Sequence, residues 1–254
     1  YVSLGDSLAR GWQPDSSGHT HSTLQGYVDV VAAALGKTQP GLQSIKFGCP
    51  GETTRTMIAG GSCHYAAGSE LAQAEAFLKA HRGSVSAVTV NIGDNDVEQC
   101  LAHARIDAAC VNRELVSVRA RLPQIVARLR AAAGAQVPIA GLTDYDQFLS
   151  YWLDGPSGQS LARRSVGVVD RLNRSADLIY KRGGVRVADA TRAFATLDLT
   201  HLVSLRGHGR VPLAVQRVCL WTWACSPPPI GANDHANATG YRVLGQVLLA
   251  ALRR

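Results

Sequence analysis

The chain has 254 residues, 46% apolar and 18% charged, with a formal net charge of +7, so it is long enough for a full hydrophobic core as one large domain or two small ones. No run of about 18 apolar residues occurs, so no membrane-spanning helix is expected. The basic excess is nearly all arginine, since lysine occurs only at 37, 46, 79 and 181, and it is scattered; nucleic-acid binding concentrates charge and interleaves aromatics, and no such partner is expected.

Apolar runs alternate with helical patterns along the chain. Residues 1–4 read as a strand and are followed by Gly5-Asp6-Ser7. A helix is expected over 23–35 and a strand over 44–47, which ends at Gly48-Cys49-Pro50-Gly51. Residues 69–81 open with Ser-Glu-Leu, a plausible helix cap. The strand at 87–92 runs into Gly93-Asp94-Asn95-Asp96. Over 112–133 the residues Leu115, Val118, Leu122, Ile125 and Leu129 recur at helical spacing. Pro123 inside that pattern should start or kink a helix. A strand at 137–142 leads to Thr143-Asp144-Tyr145-Asp146, and a helix at 161–180 precedes a strand at 185–188. The stretch 200–233 has no clear period and reads as a long irregular loop, before a last helix at 239–252. No leader of the secretory kind precedes residue 1, so an export signal is expected to have been removed or left off.

Strands alternating with helices imply parallel pairing through right-handed crossovers. The expected fold is one α/β domain over 1–254, a three-layer α/β/α sandwich around about five parallel strands, flavodoxin-like. In such sheets sites form beyond the carboxyl ends of the strands, and the polar turns after the first four strands all fall on that rim.

The six cysteines, Cys49, Cys63, Cys100, Cys110, Cys219 and Cys225, form no CxxC pair and no zinc-like cluster, and no metal or cofactor is expected. Proximity favours 49–63, 100–110 and 219–225 among fifteen possible pairings, with six reduced core thiols as the alternative. Disulfides would place the protein outside the cytoplasm.

Gly5-Asp6-Ser7 alone is ordinary turn chemistry, with Ser7 as a helix cap. Together, Gly5-Asp6-Ser7-Leu8, Gly51, Gly93-Asp94-Asn95-Asp96 and the late His235-Ala236-Asn237 resemble the four blocks of the SGNH (GDSL) hydrolases, over the whole chain. The cysteine pairs and the TDYDQFLSYWL segment look closest to secreted actinobacterial lipase and esterase members. The resemblance implies a serine esterase or lipase acting on carboxylic esters. Ser7 would be the nucleophile and His235 the general base, with Ser7 N–H, Gly51 N–H and the Asn95 amide as the oxyanion hole. Where the family places an aspartate three residues before the histidine, this chain has Ala232, with Asp234 adjacent to the histidine instead. Adjacent side chains of an extended segment point to opposite sides, so a main-chain carbonyl near Ala232 is the preferred orienter of His235 and Asp234 the alternative. Tyr145, Asp146, Trp152, Trp221 and Trp223 are candidate substrate-pocket residues, and equally candidates for ordinary packing. Lipid or other acyl esters are the first substrate class and acetylated polysaccharide the second. An acyltransferase on the same residues, or an inactive cell-wall glycan-binding protein, is the rival reading. A monomer is expected, and a nucleotide binder would need a phosphate-cradling glycine loop that is missing.

Overall fold

The computed structural model describes residues 1–101 and 105–253. Among the described residues, strands β1 (Val2–Gly5), β2 (Trp12–Pro14), β3 (Thr20–Ser22), β4 (Ile45–Lys46), β5 (Val88–Asn91), β6 (Ile139–Leu142), β7 (Arg186–Ala188), β8 (Leu202–Leu205) and β9 (Gly209–Pro212) are interspersed with nine α-helices. The helices are α1 (Tyr27–Gly36), α2 (Thr54–Ala59), α3 (Glu70–Ala80), α4 (Asp94–Glu98), α5 (Ala108–Ala133), α6 (Gly155–Arg182), α7 (Ala190–Ala193), α8 (Leu213–Trp221) and α9 (Ala238–Leu252).

Five strands form one parallel sheet in the order β4-β1-β5-β6-β7. Every residue of β1, β5 and β6 is buried, as continuous strands are when helices cover both faces. Side chains alternate between the two layers. Val2, Leu4, Val88 and Val90 face a core built with α3, α5 and α6, while Tyr1, Ala87, Ala140 and Leu142 face one built with α1, α8 and α9. Because β1 lies between β4 and β5, the strand order reverses there, and the crevice of such a sheet opens at that reversal. The turns after β1 and β5 flank it.

Ser69 caps α3 as its sequence suggests, its side chain accepting the Ala72 N–H. Two expectations are corrected. Helix α5 does not start at Pro123 but carries it in its interior. That residue sits on the exposed face, and the buried stripe Leu115–Leu129 holds the helix where the proline removes one hydrogen bond. The stretch 200–233 is not wholly irregular, for it contains the antiparallel β8–β9 hairpin and α8. The hairpin strands are too short and too exposed, three of the four residues of β8 being partly or fully open, to leave a readable alternation. All six cysteines are paired, as Cys49–Cys63, Cys100–Cys110 and Cys219–Cys225.

Candidate active site

Gly5 ends β1 with φ of +139°, and a Cβ there would stand 2.2 Å from the carbonyl oxygen of Asn91 in β5. Only glycine lets the two strands run this close to their ends. The turn that follows is tied down from several sides. The buried Glu70 side chain accepts the Gly5 N–H at 2.7 Å, Asp6 accepts the Leu8 N–H at 2.9 Å, and the Ser7 carbonyl accepts from Arg10 and Trp12. Ser7 precedes the short 3-10 turn Leu8–Arg10, yet its side chain makes no capping bond. Its hydroxyl instead lies 2.8 Å from Nε2 of His235.

His235 is delivered by the loop before α9. Asn237 caps that helix, accepting from Thr239 and Gly240 N–H. Trp223 N–H donates to the His235 carbonyl and Asn237 N–H to the Trp221 carbonyl, so the loop closed by Cys219–Cys225 braces the histidine segment through its main chain. Tyr145 hydroxyl donates to the Asp234 carbonyl at 2.7 Å. The other ring nitrogen, Nδ1, has Asn233 Oδ1 at 3.0 Å and Asp234 Oδ1 at 2.9 Å. The Asn233 contact has hydrogen-bond geometry, and the Asp234 contact is a close ion-pair approach.

This corrects the expected geometry, in which a main-chain carbonyl near Ala232 meets the ring. The segment bends at Ala232 and again at His235. Asn233 Oδ1 also accepts the His235 N–H at 3.1 Å, a local turn closed by the asparagine side chain, which brings neighbouring Asp234 round to the ring.

The other two blocks meet the same place. Gly51 has φ of +74° with open space where a Cβ would be, a backbone conformation that favours glycine and leaves its amide approachable. Asn95 Nδ2 donates to the Glu52 carbonyl at 3.1 Å and lies 3.5 Å from Asp6 Oδ2. Asp96 accepts both the N–H and the hydroxyl of Thr54, at 2.8 and 2.6 Å, and so ties α4 to the start of α2 just after Gly51.

Ser7, Gly51, Asn95 and His235 line one cavity of about 220 Å³, together with Trp12, Tyr145, Gln147 and the carboxyls of Asp6, Asp94, Glu98, Asp144 and Asp234. No lysine or arginine lines it among the described residues. A neighbouring cavity of about 490 Å³ shares Glu98, Gln147 and Asp234 with it and adds Phe148, Tyr151 and Leu153. Among the described residues no group of three or more His, Cys, Asp or Glu is placed to hold a metal ion.

Burial, reinforced by the Asp144 charge, raises the Asp6 and Asp94 carboxyls well above the usual range. Burial lifts Asp144 to about 6 against the opposing hydrogen bond from Asn91. Burial, then the Asp234 charge, lifts Glu98 to about 7. Asp234 goes the other way: burial works to raise it, but the hydrogen bond and charge of His235 outweigh that and hold it below the ordinary value. A buried carboxyl with no cation beside it keeps its proton; one beside imidazole gives it up.

Of the five candidate pocket residues only Tyr145 lines the cavity. Asp146 is buried and structural, accepting from Phe148 N–H and Ser165 hydroxyl. Trp152 packs under Arg163, and Trp221 against Phe194. Trp223 acts through its backbone, bonding the His235 segment. Residues the sequence reading passed over are Trp12, Glu98, Gln147 and Asn233. Asn233-Asp234-His235 carried a usable signal, since asparagine two residues before a ring often closes a side-chain turn. Glu98 stands four residues after Asp94, on the same face of a helix.

A model of the GDSL-like Lipase/Acylhydrolase family matches residues 3–243. No curated protein matches the chain in sequence. Among solved structures, the extracellular lipase of Streptomyces rimosus is similar at a TM-score of 0.61 and 20% identity, covering 99% of this chain and 98% of that one. A lipase from a goat rumen metagenome is similar at 0.59 and 16% identity, over 99% and 96%. The Mycobacterium smegmatis aryl esterase is similar at 0.53 and 15% identity, over 99% and 97%. These likenesses establish the fold, and the match over 3–243 establishes the kinship: the chain belongs to the GDSL-like lipase/acylhydrolase family.

Proposed function

We propose that the protein is an exported serine hydrolase of carboxylic esters. The observation that carries this reading is the 2.8 Å contact between Ser7 Oγ and His235 Nε2 in a cavity also lined by Gly51 and Asn95. A serine hydroxyl is a weak nucleophile until a base takes its proton. His235 takes that proton as Ser7 Oγ bonds to the ester carbonyl carbon. The carbonyl oxygen becomes an oxyanion, held by the N–H groups of Ser7 and Gly51 and by the Asn95 amide. As the tetrahedral species collapses, His235 returns the proton to the departing alcohol. Water, deprotonated by the same imidazole, then releases the acid from Ser7. Asp234 and Asn233 hold Nδ1–H, which fixes the tautomer with Nε2 free to accept. The three disulfides support export.

Ser7→Ala and His235→Ala should each fold normally and keep less than about a hundredth of wild-type kcat on p-nitrophenyl esters. Wild type, but not Ser7→Ala, should be labelled by a fluorophosphonate. An active Ser7→Ala enzyme removes the reading.

A further inference from the structure

Asp234 reaches His235 Nδ1, yet its side chain is 41% exposed while that of His235 is only 16% exposed. A carboxylate this open to water is screened and loses rotamer freedom when it is held in one geometry. The Tyr145 hydroxyl fixes the Asp234 backbone, not its carboxylate. Glu98 stands beside it, lining the same two cavities, and each carboxyl shifts the titration of the other. Glu98 ends α4, a helix anchored to α2 through Asp96 and Thr54. With Gln147 and Asp234, Glu98 forms the wall shared by the 220 and 490 Å³ cavities.

Two carboxyls in one cavity wall cannot both ionise cheaply, so a proton settles on the one whose surroundings hold it better. Here that one is Glu98. We propose that Glu98 is a positioning residue for the Ser7–His235 pair: its carboxyl O–H donates to Asp234 and holds that carboxylate against His235 Nδ1. The inference rests on Ser7 being the nucleophile and His235 the base. No proton leaves the pair during turnover. Glu98 keeps its own, and Asp234 stays ionised to face the imidazolium that forms when His235 takes the Ser7 proton.

The surroundings set the pH response. Glu98 is faced by Asp94 from its own helix, Asp6 from the turn after β1, Asp144 and Tyr145 from the end of β6, and Asp234 and His235 from the loop before α9. Asp154 and His208 line the adjoining cavity. Most of these are carboxyls, and burial first, then the charge of Asp234, keep the proton on Glu98 until near 7. Above that point the donated bond to Asp234 is lost, and a second anion beside the ring favours imidazolium over the neutral base that catalysis needs.

Glu98→Gln retains a donor and cannot ionise, whereas Glu98→Ala removes both. Glu98→Ala should lower kcat about tenfold or more with KM changed less than about twofold. Glu98→Gln should restore kcat to within about threefold of wild type, and the acid limb of its kcat/KM profile should move to lower pH by about half a unit. A wild-type kcat in Glu98→Ala, a Glu98→Gln enzyme as slow as Glu98→Ala, or an unmoved acid limb overturns the proposal. If circular dichroism shows Glu98→Ala to be misfolded, the acid limb of Glu98→Gln decides alone. Ser7→Ala assayed alongside separates the two claims. An active Ser7→Ala overturns the nucleophile reading, while an inactive one with unaffected Glu98 variants overturns only the role of Glu98.

Discussion

Ser7 stands at the end of a wholly buried strand, and its turn is set by the sheet: Gly5 against Asn91, and Glu70 beneath. His235 stands in a loop whose shape comes from other loops: the Asn233 turn, the Trp223 main chain and the bridge between Cys219 and Cys225. One partner of the pair is therefore as firm as the core, while the other is as firm as a set of local ties. Damage to the strand end that carries Ser7 should appear as lost folding, and damage to the ties around His235 as lost rate in a folded protein.

The largest effect expected is at Gly5. Gly5→Ala places a methyl 2.2 Å from a backbone oxygen that cannot give way, and the change should cost about 3 kcal/mol or more. Chemical denaturation checks it, and a midpoint within error of wild type would mean that β1 is not pinned to β5 as described. Next comes the His235 side. Asp234→Asn keeps the shape but removes the charge, and should lower kcat by about 10²–10⁴, with only a small loss of stability. Asn233→Ala, which opens the turn but keeps the Asp234 charge nearby, should cost about tenfold. If the order of the two is reversed in steady-state assays, the asparagine and not the aspartate is the main orienter. A smaller effect separates two bridges. Replacing Cys219 and Cys225 together by alanine should lower kcat about tenfold, whereas replacing Cys100 and Cys110 should leave it within about twofold. Both changes should destabilise by roughly 2–3 kcal/mol, given the short loops they close. Equal kcat in the two double variants would remove the brace.

The smallest effect is in pH and sharpens the same contrast. Carboxyls around the carboxyl edge of the sheet have raised folded values, Asp144 about 6 and Asp146 and Glu98 about 7. The folded state thus binds more protons than the unfolded one between about pH 4 and 7, and unfolding free energy falls as pH rises through that window. Asp234 has a lowered folded value, so its contribution is present above about pH 4 and lost below it. The melting temperature should be higher at pH 5.5 than at pH 8 by a few degrees, and should drop again below pH 4. A monotonic rise from pH 4 to 8 in calorimetry would contradict the raised values.

How much of this could be read beforehand follows the same division. The sheet-built parts were legible. Buried parallel strands leave unbroken apolar runs such as Ile139–Leu142, and the turns after other strands carry Gly5, Ser7, Gly51 and Asn95 in plain view. The long helices showed their stripes, and the cysteines their partners. The loop-built parts were not. Whether Asp234 faces the ring depends on a side-chain turn that overrides strand alternation. Trp12 reaches the pocket from the short hairpin β2–β3, whose three-residue strands give no periodic signal. Aromatic residues near a site looked like pocket walls, but Trp152 and Trp221 found partners in Arg163 and Phe194 instead, because a large side chain goes where area is buried rather than where chemistry occurs.

The carboxyl-lined cavity bears on the end of the reaction as well as its start. On the esterase reading, a neutral substrate enters and a carboxylic acid is formed, which ionises on reaching water. The ionised product meets Asp234 and no lysine or arginine among the described lining residues, so it is repelled from the place where it was made. The leaving acid is discouraged from rebinding on a protein whose overall charge of +7 would otherwise attract it. Accumulated acid should therefore slow this enzyme little, since the one carboxylate held ionised at the cavity, Asp234, favours release of the product.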